Sequence, residues 1–104
     1  MYTLNDTFQN VIFTFEHGGK ILDRDGRIIG HVRNGVVCDK QGNPTRAKVD
    51  GANIDFNGPD LTVSGDKVLQ FDGGDEQAVI VGATTQAQRM IAAAAYWEFS
   101  WSLT

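Results

Sequence analysis

The chain has little of what most recognisable chemistry requires. It holds a single cysteine, Cys38, which excludes an internal disulfide and suits a reducing, cytoplasmic setting. Its histidines are His17 and His31, and neither falls at the close spacing to Cys38 or to the other that a zinc site uses. Basic residues number 9 against 13 acidic ones, a formal net charge of −4, so the basic stripe of a nucleic-acid binder is missing. The longest apolar stretch, Met90 to Trp97, is far short of the ~18 residues of a membrane-spanning helix. Residues Met1 to Asn10 lack the positive-then-apolar pattern of a secretory leader. Hydrolase, zinc-protease and phosphate-loop motifs are also missing, so no cofactor is expected. The two prolines, Pro44 and Pro59, stand just after turn signals, where a lost N–H costs least.

Glycine, by contrast, is abundant, at 12 of 104 residues, and it is periodic. Gly26, Gly42, Gly58 and Gly74 recur every 16 residues, and Asp23, Asp39 and Asp55 keep the same step. Four units follow: KILDRDGRIIGHVRNG, VVCDKQGNPTRAKVDG, ANIDFNGPDLTVSGDK and VLQFDGGDEQAVIVGA. Each is an apolar run, a turn signal, a second apolar run and a glycine. Asp25-Gly26, Gln41-Gly42-Asn43, Asn57-Gly58-Pro59 and Asp72-Gly73-Gly74 read as tight hairpin turns. Asp-Gly and Asn-Gly pairs suggest type I′ geometry, which needs positive φ at both central residues. Asn34-Gly35, Asp50-Gly51 and Gly65-Asp66 read as the turns that join one unit to the next. A lone hairpin is marginal in water, so the units must share a core. The period is too short for a propeller blade. The expectation is a mainly β single domain over 1–104, its tandem hairpins coiled into a small ring or barrel that hides strand edges.

The tandem hairpins, of which Ile21-Leu22-Asp23-Arg24-Asp25-Gly26-Arg27-Ile28-Ile29-Gly30 is the clearest, resemble the four-fold β-flower domain, a small bacterial family. The resemblance covers about the middle three-fifths of the chain. It implies hairpin petals around a central axis and brings no assigned activity. Asn53 and Phe71 depart from the pattern, in the third and fourth units.

The flanks are read separately. Residues 1–19 suit a degenerate fifth hairpin, with Val11, Phe13 and Phe15 alternating, or a helix from Asp6 to His17 with Phe8, Val11, Ile12 and Phe15 on one face. Residues 84–97 are expected to be a helix opened by a Thr85/Gln88 capping box. Its stripe of Ala87, Met90, Ile91, Ala94 and Trp97 would cover an open face of the hairpins. In the aromatic tail, 98–104, Phe99, Trp101 and Leu103 alternate as in a short strand. Core candidates in the repeats are Ile28, Val32, Val36, Val49, Ile54, Leu61, Val63, Val68, Leu69, Phe71, Val79 and Val81. Lys20, Arg24, Arg27, Arg33, Lys40, Arg46, Lys48 and Lys67 are expected to face water.

Three groups of residues carry candidate function. Asp23, Asp39 and Asp55 either accept turn N–H groups or converge on a ligand or cation. His31 and Cys38 can meet across a hairpin. Tyr96, Trp97, Phe99 and Trp101 are either core under the helix or an interface, and an edge at Tyr2–Leu4 or Trp101–Thr104 offers pairing to a second chain. The residues thus point to a non-catalytic β-repeat module that binds another protein or itself as a homo-oligomer. The alternative is a small-ligand or cation binder at the repeated aspartates. Neither nucleic acid nor membrane is an expected partner.

Overall fold

The computed structural model describes residues 1–55, 59–71 and 74–100. Within them, ten strands precede one helix: β1 Tyr2–Asn5, β2 Val11–Phe15, β3 Lys20–Leu22, β4 Ile28–Arg33, β5 Val36–Cys38, β6 Lys48–Asp50, β7 Asn53–Asp55, β8 Pro59–Ser64, β9 Lys67–Gln70, β10 Glu76–Val81 and α1 Gln86–Phe99. All strand pairs are antiparallel, and the sheet curls into a half-barrel, as the tandem hairpins require. The turn signals at Asn57-Gly58 and Asp72-Gly73 lie outside the described residues.

The corners explain the period. In the β3–β4 turn the Asp23 N–H donates to the Arg27 carbonyl (2.9 Å) and the Gly26 N–H to the Asp23 carbonyl (3.1 Å). The same pair of bonds closes Asp39–Asn43, at 2.7 and 3.0 Å. Gly26 and Gly42 sit at φ +82° and +89°, while Asp25 does not have positive φ. These corners are therefore not the expected type I′ turns. They are type I turns followed by one left-handed residue, the arrangement that adds a bulge to the ladder. The true type I′ turn is Asn34-Gly35, with φ +53° and +77°. The next joint is Gly51-Ala52 rather than Asp50-Gly51, because Asp50 pairs with Asn53 inside the ladder.

The first repeat lies in residues that glycine spacing alone misses. Asp6 and Gln9 repeat the corner bonds, Asp6 N–H to Asn10 carbonyl (2.8 Å) and Gln9 N–H to Asp6 carbonyl (3.1 Å). Gln9 holds φ +71° in the place of glycine, one residue before the Asn10 that a strict step of 16 would select. Of the two readings of residues 1–19, the strands are the ones observed. Phe13 and Phe15 enter the core, while Phe8, which a helical stripe would bury, is 83 % exposed.

The sheet order is β5-β4-β3-β2-β1-β10-β9-β8-β7-β6. The first and last strands pair in the middle, so β1 is no edge and Tyr2–Leu4 has no free side for a second chain. The two edges are instead β5 and β6, which are consecutive in the chain.

α1 lies in the hollow of the sheet, against β1, β5, β6, β7 and β8. Ala92, Ala93, Ala94 and Ala95 are all buried. Four consecutive helical positions sweep roughly 300° around the axis, so at this level the helix is enclosed on most sides. That differs from a stripe laid over an open face, and Ala87, expected in the stripe, is exposed. Alanine lets the strands approach closely, and Gly30 does the same on β4. A methyl on Gly30 would stand 2.7 Å from the Phe99 ring and 2.6 Å from the Cys38 carbonyl oxygen.

The enclosed helix also fixes which face of each strand points inward. Leu4, Phe15, Ile21, Ile54, Leu61, Val68 and Ile80 are the largest fully buried side chains, each contributing about 1.5–3 kcal/mol by burial. Of the core candidates, Ile54, Leu61, Val63 and Val68 are buried, and Ile28, Val32, Leu69 and Val79 are half-buried. Val36, Val49, Phe71 and Val81 are exposed, since in β10 it is Ala78 and Ile80 that face the helix. The eight cationic side chains expected at the surface are all exposed. Left-handed φ costs an L-residue about 1–2 kcal/mol, partly offset for glycine by its freer unfolded chain. Gln9→Gly should therefore stabilise the fold by about 0.5–1 kcal/mol in urea denaturation, with the slope unchanged.

Candidate functional site

Two of the repeated aspartates, Asp23 and Asp39, are turn residues. Asp23 Oδ1 accepts the N–H groups of Asp25 and Arg27, each at 2.9 Å. Asp39 Oδ1 accepts those of Gln41 and Asn43 at the same distance. Asp6 performs the same task for Phe8 and Asn10, and the Asn10 N–H in particular holds its carboxyl below the usual range. Asp6 was missed from sequence, although its place 17 residues before Asp23 marks it. Asp55 ends β7, opposite Lys48 and Pro59, and the residues after it lie outside the described set. Among the described residues no three His, Cys, Asp or Glu side chains gather as a metal would need, so Asp23, Asp39 and Asp55 are not brought together.

His31 and Cys38 do face each other across β4 and β5. The thiol is buried and points to the Val36 carbonyl at 3.7 Å. Of the aromatic group, Trp97 is buried, and its indole N–H donates to Asp60 Oδ2 at 2.8 Å. Arg46 lies 5.9 Å from its ring centroid. Phe99 packs edge-on against Phe13 at 6.1 Å. Tyr96 is half-buried, which pushes its phenol up. These three side chains belong to the join between helix and sheet, and Trp101 lies outside the described residues.

The opening of the half-barrel forms the better site. Between edge strands β5 and β6 lies a cavity of about 400 Å³. Val36 and Val37 form one wall, Ala47 and Val49 the other, and Met90 and Ile91 of α1 the floor. Val36 and Val49 are 45 % and 51 % exposed at its rim. The rest of the lining is Gly35, Gln86, Ala87 and Ala94, so none of its side chains titrates or acts as a nucleophile. A second cavity, about 310 Å³, opens at the mouth of the half-barrel between Tyr2, Phe15, His17, Val32 and Gln88.

No family model, curated protein or solved structure matches this chain. Its functional reading therefore rests on the geometry of the opening and of the residues around it. No helix among the described residues is long and apolar enough to cross a membrane.

The helix anchor is testable. Trp97→Phe leaves Asp60 without its indole donor and should cost about 1.5–3 kcal/mol, read by urea denaturation. Alkaline pH tests the second cavity. Burial raises the Tyr2 phenol to about 12, against about 10 in an unfolded chain. Between these values the unfolded state sheds a proton that the folded state keeps, so stability is present below pH 10 and falls as pH rises towards 12. Tyr2→Phe should flatten that part of the profile.

Proposed function

We propose that this chain is a non-catalytic β-repeat module of β-flower type that acts by binding protein, its own copies included, at the opening between β5 and β6. The tandem hairpins support the family reading. The observation that carries the binding reading is that, among the described residues, β6 ends the sheet as a bare edge beside an apolar groove with half-exposed valines on both rims, while the loop before β6 covers part of β5. Strand edges offer main-chain hydrogen bonds, and an apolar groove beside them selects alternate side chains, which together recognise an extended segment. A lining without acid, base or nucleophile fits holding better than converting. The proposed contact surface thus moves from Tyr96, Trp97 and Phe99 to Val36 and Val49.

A displayed library of extended peptides about eight residues long tests this reading. Peptides enriched on the parent protein should be rich in β-branched and aliphatic residues. They should lose at least about tenfold in affinity for the Val36→Asp/Val49→Asp variant, whose far-ultraviolet circular dichroism should be unchanged because both side chains are at the rim. Peptides that bind the variant as well as the parent would place binding elsewhere.

A further inference from the structure

We infer that β6 pairs with β6 of a second copy about a two-fold axis through Val49, forming a weak homodimer. The inference rests on the groove-binding reading and names its partner. β6 is the strand Lys48-Val49-Asp50, exposed at all three positions, and among the described strands it is hydrogen-bonded to β7 alone. Asp50 and Asn53 flank the two-residue loop Gly51-Ala52 and form its closing hydrogen-bonded pair. Hydrogen-bonded and non-bonded pairs alternate along an antiparallel ladder, so the N–H and C=O of Val49 point away from β7. Two copies meeting antiparallel at Val49 exchange both of these bonds.

The charges select that register. With the axis on Val49, Lys48 of each copy lies directly across from Asp50 of the other, twice by symmetry. Those flanking pairs are the non-bonded kind, in which side chains come closest. Moving the axis to Lys48 or to Asp50 sets like charges opposite each other, which is destabilising. Val49 is also a wall of the groove, so the same contact brings the two apolar openings together. Three residues of edge bury far less than the ~1,200 Å² of a stable interface, so the dimer is transient, with half-association at roughly 0.1–1 mM.

The full chain provides the test, by sedimentation equilibrium and by following the Val49 amide resonance on dilution. The parent should associate reversibly, with the Val49 amide among those that move. Lys48→Asp and Asp50→Lys should each weaken self-association at least about tenfold, since each sets two like-charge pairs across the axis. An equimolar mixture of the two variants should associate, because one then presents only acid and the other only base. Lys48→Asp also places a carboxylate across from Asp55 in its own hairpin. Asp50→Lys faces Asn53 and carries no such penalty, so it serves if the first variant folds poorly, with Lys48→Asp/Asp50→Lys expected to regain self-association. A parent that stays monomeric to about 2 mM, or variants that associate as well as the parent, overturns this pairing. Peptide binding lost in Val36→Asp/Val49→Asp would then still support the groove, so the two readings fail separately.

Discussion

The whole arrangement depends on a helix that is enclosed at its middle. Ala92 to Ala95 are all buried, so the surrounding strands must supply apolar atoms from most directions, leaving the groove between β5 and β6 that Ala94 helps to line. Only a curled sheet does that, and only short side chains let it come close enough. The same contact accounts for the smallness of Ala78 and Gly30 on the inner surface, and for the inward turn of Leu4, Ile21, Ile54, Leu61 and Ile80. Trp97 then fastens the far end of the helix through its indole bond to Asp60 on β8.

Much of this was legible in the residues. The step of 16 between glycines reports a real geometric unit, because each corner needs one left-handed residue and glycine takes that conformation most easily. The helix and its Thr85 cap were equally plain, and the Gln88 N–H does bond to the Thr85 hydroxyl at 3.1 Å. What the pattern does not carry is strand phase. Alternation says that Ala78 and Ile80 share one face and Val79 and Val81 the other, yet the larger residues of the second pair look more like core. The occupant of the hollow decides, and it is distant in sequence. The first corner was hidden because Gln9 fills a slot where glycine is the usual signal.

The candidate site shows the same division. Asp23 and Asp39 are conspicuous in sequence because corners need them, and their oxygens are engaged by backbone N–H groups. The groove is built from Val36, Val49 and Met90, which come from separate elements and share no motif. Its place follows from topology, since the break in the sheet falls between two strands that are neighbours in the chain. The loop between them folds back onto β5, where the Thr45 N–H reaches the Val37 carbonyl at 3.1 Å, and leaves β6 the barer of the two edges.

The pairing of β1 with β10 has a bearing on how the molecule is made. The pairings within each half of the sheet join strands close in sequence, so β1 to β5 can zip up locally while the remainder is still being synthesised. Until β10 emerges, the outer side of β1 is a bare ribbon with Leu4 uncovered. The nascent molecule is most open to mispairing in that interval, and arrival of the closing strand, followed at once by the helix that fills the hollow, brings it to an end.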